Sequence, residues 1–406
     1  MIATKTQNKH PFLTAWITVC GLMYIFAYQF RLPFPADVFL YGMLMGLLIM
    51  TVFEGRVIVN RQFALFLLAD IAAFIGLIYT TMVSNGLREA VLFTFFAGVF
   101  VMSLTNPSLI RTFTKWIYLA SVAVVLFSIV HFLFPLWFNM IMKQVLRADA
   151  YERLMWSYRV DSSFAGIAAY TPNTTFSAAI VFGYSFLCLT NKSDYPILKS
   201  RAVNIILLAL SFFSIIICSK RGIFVATILA MAVLMFYLYR GHNFVLKFLG
   251  VAVLLTVVLT ILYFTNAFVA SFLNRFIAGD FMTGRDEIYA ALLKDFGESN
   301  IFIGRGTGAT YAIAEDGAHN TYLQLLYDHG LLFSVPYLVF LLYNYYIAFK
   351  NKCPISIFVQ TLFLVYGMSG NPLYSNMFMI IYIYYVLYAA KMPLLENQTR
   401  AAVRPA

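Results

Sequence analysis

Several short polar segments separate the long apolar runs of this sequence, and the first of them suits phosphate chemistry. Residues 219–222, Ser-Lys-Arg-Gly, form a tight connection that carries two adjacent cations. Arginine presents a planar fork of donors that matches phosphate oxygens, so Lys220 and Arg221 beside a membrane surface suit a lipid-linked phosphate. The alternative is that both side chains anchor the chain at the lipid headgroups.

A second polar segment, residues 283–287 with the sequence Thr-Gly-Arg-Asp-Glu, precedes the amphipathic run 288–296. Arg285 would lie at the start of a helix, where its side chain and free backbone N–H groups can bind one anion together. The alternative is a surface charge that pairs with its acidic neighbours. The segment therefore predicts either an anion site or an exposed helix start.

A third polar segment, residues 318–330, leads into an apolar run and contains His319 and Asn320 near its beginning. Histidine is the side chain best suited to proton transfer near neutral pH, so His319 is a candidate general base. The alternative is a structural residue at a helix start. His329 is interpreted differently, as the last residue of a helix beside its Gly330 cap.

Most of these residues fall in two long connections, 137–172 and 269–330. Long loops in compact proteins are usually functional or disordered. The second loop contains Gly-Arg-Gly-Thr-Gly at 304–308 together with the amphipathic run, which predicts an ordered structure. The first loop contains Tyr158 and Arg159, which predict a second wall of an external pocket.

The elements that position these segments are predicted to be membrane-spanning helices. The chain is 62% hydrophobic and only 11% charged, whereas soluble domains carry about 25% charged residues. Continuous apolar runs in lipid are helical, because a helix satisfies its own backbone hydrogen bonds. The sequence predicts an all-α, polytopic integral membrane protein with one domain, 1–406, and about twelve transmembrane helices. The predicted spans lie near 11–29, 36–53, 62–82, 89–105, 115–136, 173–190, 203–218, 223–239, 247–268, 331–349, 355–370 and 377–391.

The distribution of Lys and Arg predicts the orientation of these helices. Cytoplasmic connections of membrane proteins carry an excess of basic residues. Both termini are basic, and placing them in the cytoplasm puts basic residues in every cytoplasmic connection and both long loops outside. The net charge of +11 is scattered between apolar runs, so binding to nucleic acid is not expected. The four cysteines lie far apart without metal-binding spacing, and no metal is expected.

Ionisable residues are nearly absent from the predicted spans, and only Asp70 lies well inside one. Transporters and pumps usually carry such groups near the membrane midplane. Here the polar residues gather at the external interface instead. That distribution favours an enzyme acting on a lipid-anchored, phosphate-bearing substrate over a flippase or another transporter.

The order of these segments resembles the O-antigen polymerase/ligase superfamily. The resembling features are Ser-Lys-Arg-Gly after one span, Gly-Arg-Asp-Glu-Ile-Tyr at the start of a late loop, Gly-Arg-Gly-Thr-Gly, and His-Asn with nine residues before Gly330. The resemblance is closest over 203–345, which includes the external loop 269–330. The predicted span number, orientation and large late periplasmic loop are similar to the family over the whole chain.

This resemblance implies a GT-C-like glycosyltransferase of the bacterial inner membrane with a periplasmic active site. It implies an undecaprenyl-diphosphate-linked oligosaccharide as donor, inversion at the anomeric carbon, and no metal or cofactor. It also implies that Arg221 and Arg285 hold the donor's diphosphate and that His319 is the general base. The secondary candidates are Lys220, Arg159 and Arg88 for diphosphate or sugar contacts, and Asn320, Tyr322 and Tyr158 for acceptor or sugar contacts.

Two activities would share this donor and mechanism. A polymerase joins one lipid-linked repeat unit to another and builds O-antigen, capsule or exopolysaccharide, whereas a ligase transfers the finished chain to lipid A–core. The His-Asn-Thr-Tyr-Leu-Gln run and the short first external loop favour the polymerase, and the ligase is the alternative. The expected partners are the lipid bilayer, the lipid-linked oligosaccharide, and lipid A–core or a chain-length regulator. A lipid-linked oligosaccharide flippase is the more distant alternative.

Overall fold

The computed structural model describes residues 10–30, 35–145, 148, 151–152, 172–193, 197–218, 220–239, 244–266, 269–270, 272–274 and 285–403. Within these ranges the chain forms helices and turns without a β-strand, so the predicted all-α class is confirmed there. The α-helices are α1 (Pro11–Phe30), α2 (Ala36–Glu54), α3 (Arg61–Gly76), α4 (Val83–Leu104), α5 (Pro107–Leu133), α6 (Pro135–Val145), α7 (Pro172–Leu189), α8 (Arg201–Ile217), α9 (Arg221–Leu238), α10 (Phe244–Thr265), α11 (Arg285–Gly297), α12 (Thr321–Lys350), α13 (Pro354–Tyr366) and α14 (Asn376–Val403). Two 3₁₀ turns lie at Ala309–Ala312 and Pro372–Tyr374.

Several helices are long and apolar enough to cross a membrane, as expected of an integral membrane protein. Within the described residues, five helices meet this description by length and composition, and a bent pair inside α12 would make a sixth. Helix α10 buries none of its apolar window inside the protein, which suits a helix that faces lipid. The five segments are Ala36–Glu54, Val83–Leu104, Pro107–Leu133, Arg221–Leu238 and Val245–Thr265.

The sequence predicts about twelve spans, which is more than the five or six found among the described residues. One reason for the difference is that several helices at predicted spans are short. A hydrocarbon layer of about 30 Å needs about 20 helical residues. Helix α3 has 16 residues, α8 has 17 and α13 has 13, although each overlaps a predicted span. A single sequence shows where the apolar runs lie, but it does not show where each helix ends.

The described residues cluster into two compact units. The first comprises those within Met1–Thr18, Gly42–Thr114 and Met282–Ala406, and the second comprises those within Val19–Tyr41 and Lys115–Phe281. The first unit therefore combines early helices with the whole late part of the chain. The prediction of a single domain over 1–406 stays a prediction.

In the first unit, α12 packs against α3, which also packs against α4. Phe66 of α3 stacks on Phe340 of α12 with ring centroids 4.8 Å apart. Beside them, Gln62 Nε2 donates a buried hydrogen bond to Asn344 Oδ1 at 2.6 Å. A buried amide that is hydrogen-bonded avoids the cost of an unsatisfied polar group, so these contacts fix α12 against α3.

A smaller apolar cluster holds α11 against the beginning of α12. Ile288 and Leu323 pack at its edge, so the cluster lies beside the polar segment that the sequence analysis singled out. Burial of these side chains stabilises the contact, because apolar surface is removed from water. The buried members are Leu292, Phe296, Ala309, Ala318 and Tyr327.

In the second unit, α7 and α8 pack along each other, and α9 packs against α7. The rings of Tyr118 in α5 and Tyr184 in α7 lie 4.2 Å apart between centroids. The hydroxyls of Ser128 in α5 and Ser214 in α8 form a buried hydrogen bond of 2.7 Å. This unit therefore holds the beginning of α9, where the paired cations of the sequence lie.

Candidate functional site

Helix α12 is interrupted at Gly330, one third of the way along the helix from its N-terminus, and the interruption lies beside the candidate site. At Gly330 the backbone adopts a φ of 63° and a ψ of −175°, which is not a helical conformation. The two parts, Thr321–Leu332 and Ser334–Lys350, are bent by 118°. The non-helical residue Gly330 lies where the sequence predicts a helix end, although the first helical part continues to Leu332.

Residues 301–308, here called the glycine segment, replace the hydrogen bonds that the break removes from α12. A buried backbone group without a partner is costly, above all in a membrane. The predicted order of this part of the loop is confirmed, because its backbone is paired on both sides of the break. The bonds run from Arg305 N to Tyr327 O (2.9 Å), Gly306 N to Asp328 O (2.8 Å), Leu331 N to Ile301 O (2.9 Å) and Leu332 N to Phe302 O (2.9 Å).

Glycine is required where these two stretches of backbone cross. Gly304 and Gly330 have φ values of 72° and 63°, in the left-handed region that glycine adopts without strain. A Cβ on Gly330 would lie 2.5 Å from Gly304 N, and a Cβ on Gly304 would lie 2.6 Å from Gly330 N. The backbones approach so closely that neither position has room for a side chain.

Thr307 attaches the glycine segment to the end of α3. Its Oγ1 donates to Ala73 O at 2.6 Å, and its N–H donates to Gly76 O at 3.3 Å. The last carbonyls of a helix have no partner within the helix, so these bonds satisfy groups that would otherwise be left open. The Gly-Arg-Gly-Thr-Gly sequence thus joins α3 to the first part of α12.

His319 lies directly before α12, in residues 316–320, here called the histidine loop. Its φ of 52° is in the left-handed region, which costs a non-glycine residue roughly 1–3 kcal/mol. Such strain persists where the surroundings impose it, and it is concentrated at functional sites. The bonds that surround His319 run from Ala318 N to Gln324 Oε1 (3.3 Å), Tyr289 Oη to His319 O (3.2 Å) and Thr321 N to Gly367 O (2.8 Å).

The imidazole of His319 is half-buried and makes no hydrogen bond to the described residues. Burial lowers the pKa of His319 below its ordinary value of 6.5, and the positive charge of Arg285 lowers this pKa further. Asp316 acts in the opposite direction. The imidazole is therefore neutral near pH 7 and able to accept a proton.

Arg285 is the first residue of α11 and lies close enough to His319 for its charge to act on the imidazole. Its Nη1 donates to Ser369 O at 2.8 Å. A guanidinium has five N–H donors, and no other hydrogen bond joins this one to the described residues. Most of its donors are therefore free of described partners and suit an anion.

Arg305, in the glycine segment, has a structural role instead, because its guanidinium is bound to Asp295. Its Nη2 donates to Asp295 O at 2.7 Å and to Asp295 Oδ1 at 2.9 Å, and its Nε lies 2.9 Å from Asp295 Oδ2. Tyr327 Oη donates to the same carboxylate at 2.6 Å. These contacts hold the end of α11 against the glycine segment and α12.

Four sequence candidates belong to the second unit or lie outside the described residues. Lys220 directly precedes α9, and Arg221 is its first residue, so both belong to the second unit. Their predicted convergence with the two candidates of the first unit stays a prediction. Arg159 and Tyr158 lie outside the described residues.

The remaining candidates lie in the first unit, and two of the three have structural contacts. Asn320 caps α12, because its Oδ1 accepts hydrogen bonds from Tyr322 N and Leu323 N, both at 3.1 Å. Tyr322 Oη donates to Leu364 O at 2.7 Å. Arg88 is exposed near the beginning of α4. Their predicted contacts with sugar or diphosphate stay predictions.

The structure adds a buried acid that the sequence analysis did not single out. Glu89 lies within α4, and its Oε1 accepts a hydrogen bond from Gln324 Nε2 at 3.0 Å. Asp70, the interior acid named from the sequence, is also buried and accepts a bond from Thr94 Oγ1 at 3.0 Å. In the sequence, Glu89 is an acid beside Arg88 at the start of an apolar run. The sequence does not show which of these two side chains is buried.

No protein-family model, curated protein or solved structure gives a significant match to this chain. The resemblance to the O-antigen polymerase/ligase superfamily therefore stays a prediction from the sequence. Within the part of the chain that the structure describes, no group of three or more His, Cys, Asp or Glu side chains could hold a metal ion. The expected absence of metal and cofactor likewise stays a prediction.

Proposed function

We propose that the protein is a membrane-embedded glycosyltransferase whose donor is a polyprenyl-diphosphate-linked glycan. The observation that carries this proposal is that His319 lies beside the broken helix α12, close enough to Arg285 for that charge to lower the pKa of its imidazole. The imidazole has no described hydrogen-bond partner, and the guanidinium has one. A general base and a cation that binds a leaving diphosphate are the groups that such a transfer needs.

In the proposed reaction, His319 accepts the proton of an acceptor hydroxyl while the hydroxyl oxygen attacks the anomeric carbon of the donor. The bond from that carbon to the diphosphate oxygen breaks with inversion, and the diphosphate leaves with the electron pair. Arg285 stabilises the charge that develops on the leaving group. The membrane-anchored substrates are held in line, which removes much of the entropic cost of their encounter.

The proposed architecture is GT-C-like, with about twelve spans in the bacterial inner membrane and both termini in the cytoplasm. His319 then faces the periplasm. The shorter helices count as parts of spans in this proposal, because irregular backbone is tolerated at membrane depth where protein buries it. The turn after α13 fits that requirement, since the carbonyls of Gly367 and Gly370 both accept from Thr321 N.

The acceptor that we propose is a second lipid-linked repeat unit, which makes the protein a polysaccharide polymerase. The alternative acceptor is lipid A–core, which would make it a ligase. A lipid-linked oligosaccharide flippase is the more distant alternative, and the buried acids Asp70 and Glu89 are the observation that favours it.

The test is a transfer assay with purified protein and a polyprenyl-diphosphate-linked repeat unit, with and without lipid A–core. Chelator is present and nucleotide sugar is absent. A product ladder from the repeat unit alone supports the polymerase, and product that needs lipid A–core supports the ligase. Folded protein that transfers no glycan in either mixture contradicts the proposal, and movement of the labelled lipid across vesicles is then measured.

Three variants assign the residues in the same assay. His319→Ala and Arg285→Met are expected to lose transfer, because one removes the proton acceptor and the other removes the cation. Lys294→Ala is the matched control, since Lys294 is an exposed cation of the same helix α11. Equal loss in all three variants would show that the effect is not specific to the candidate site.

A further inference from the structure

A chain of two buried hydrogen bonds connects helix α4 to the histidine loop. Glu89 is 3% exposed and Gln324 is 0% exposed. Glu89 Oε1 accepts from Gln324 Nε2 at 3.0 Å, and Gln324 Oε1 accepts from Ala318 N at 3.3 Å. The chain therefore ends on the residue that directly precedes His319.

The oxygen of Glu89 sets the orientation of the Gln324 amide. Because Glu89 Oε1 accepts, the NH₂ group of Gln324 faces α4 and its carbonyl oxygen faces the N–H of Ala318. The reversed amide would point its NH₂ group at another donor and leave buried groups unsatisfied. The acceptor on Glu89, together with the carboxylate of Asp328 on the same amide, favours the orientation that holds the histidine loop.

The backbone beside the amide is tightly packed. Gly317 has a φ of 81°, and a Cβ there would lie 3.0 Å from Gln324 Oε1 and 2.6 Å from Asn371 Nδ2. The next residue but one, His319, has a strained φ of 52°. A strained conformation persists only while its surroundings determine it, so removal of the amide contact is expected to let His319 relax.

We propose that Glu89 and Gln324 are positioning residues for His319. They hold the loop so that the imidazole stays near Arg285, half-buried and without a hydrogen-bond partner among the described residues. As far as catalysis is concerned, this inference rests on the proposed function, in which His319 is the general base. The placement of the imidazole itself can be measured without any assumption about the reaction.

The first measurement is the reactivity of His319 toward diethyl pyrocarbonate, a reagent that modifies neutral imidazole. Mass spectrometry follows the modification of His319 across a range of pH. Glu89→Met and Gln324→Met each break the chain while keeping an unbranched side chain of similar length. Both are expected to speed labelling and to move its midpoint to higher pH, because a relaxed imidazole is less buried and further from Arg285. Glu89→Gln keeps the accepting oxygen and is expected to label like the unmodified protein.

The matched control is Asp70→Leu, which removes another buried acid of the same unit. Asp70 is 5% exposed and is bonded to Thr94 instead of the histidine loop. Its replacement is expected to leave the labelling of His319 unchanged. If Asp70→Leu alters the labelling as much as Glu89→Met does, the effect is a general loss of packing and the inference is overturned.

The second measurement is the transfer reaction, with kcat and KM determined separately. Glu89→Met and Gln324→Met are expected to lower kcat by about 10- to 100-fold with little change in KM, because a small misplacement of a catalytic group has effects of this size. The double variant is expected to lose no more than either single variant, since both substitutions break one chain. Glu89→Gln is expected to retain activity.

The two measurements separate the positioning role from the proposed function. Unchanged labelling of His319 in both Met variants overturns the positioning role, whatever the activity. Altered labelling in a protein that transfers no glycan supports the positioning role and contradicts the proposed function. If one Met variant does not fold, the other provides the same test.

Discussion

The glycine segment and the histidine loop lie a few residues apart and contact the same helix, yet they are held in different ways. Backbone groups of the glycine segment pair with backbone groups of α12, and its one arginine is bound to Asp295. The histidine loop is held by side chains from α11 and α12, and the imidazole of His319 has no hydrogen-bond partner among the described residues. The two segments therefore differ in their titratable side chains, since Arg305 is bound to Asp295 and His319 keeps an imidazole without a partner among the described residues.

The largest loss of stability is expected where the backbones of Gly304 and Gly330 approach each other, and Gly330→Ala tests it. The substitution adds left-handed strain of about 1–3 kcal/mol and a steric overlap of similar cost. We expect the free energy of unfolding to fall by roughly 2–6 kcal/mol, enough to prevent folding of a marginally stable protein. Thermal unfolding in detergent measures the change.

Gly297→Ala is the control for this substitution. Gly297 ends α11, and a Cβ there would meet no atom within 4 Å. Its replacement is expected to leave stability unchanged or slightly higher, because alanine has less freedom to lose on folding. Equal destabilisation by the two substitutions would mean that the close approach of Gly304 to Gly330 is not what limits position 330.

His319→Gly is expected to give the opposite pattern, with loss of activity but not of stability. Loss of a general base lowers kcat by about 10²- to 10⁴-fold. Relief of left-handed strain contributes roughly 1 kcal/mol of stability, and the greater freedom of unfolded glycine offsets much of it. Transfer assays and thermal unfolding on the same preparation check both parts. A large loss of stability would show that His319 has a structural role, which contradicts this prediction.

An intermediate effect is expected where a side chain ties the glycine segment to α3. Thr307→Val removes the bond from Thr307 Oγ1 to Ala73 O, which is 2.6 Å long and buried. The loss leaves a buried carbonyl without this donor and is expected to cost about 1–3 kcal/mol. Thr256→Val is the control, since its bond to Ala252 O lies on an exposed part of α10. Similar costs in the two variants would contradict an anchoring role for Thr307.

Local signals made part of this arrangement predictable from the sequence. Apolar runs predicted the helices, Gly330 predicted the break after His329, and His319 was singled out at a helix start. The number of spans was not predictable in the same way, because helix ends such as Gly76 of α3 depend on tertiary contacts with Thr307.

The pairing of distant residues explains what the sequence could not provide. Glu89 and Gln324 are 235 positions apart, so nothing in either local sequence indicates that they share a hydrogen bond. Arg285 and Arg305 look alike as loop arginines, and only the position of Asp295 shows that Arg305 is committed to structure. Local patterns therefore name candidates, whereas packing decides which of them are free to react.

The smallest effect is expected from the charges around His319. The direction of the pKa shift in each variant tests whether that charge acts on the imidazole. Burial and then Arg285 lower the pKa of His319, whereas Asp316 raises it. Arg285→Met is therefore expected to move the pH midpoint of His319 labelling upward, and Asp316→Asn is expected to move it downward. Both midpoints stay below the ordinary value of 6.5, because burial is the larger cause and remains.

The same pKa also predicts the acid side of the activity and stability profiles. A general base must be neutral, so transfer by the unmodified protein is expected to persist below pH 6.5 and to fall only at more acidic pH. The unfolded chain takes up the proton more readily than the folded one, so this group lowers stability as the pH falls through its unfolded pKa of about 6.5. Midpoint shifts of the same sign in Arg285→Met and Asp316→Asn would show that neither charge acts on His319 directly.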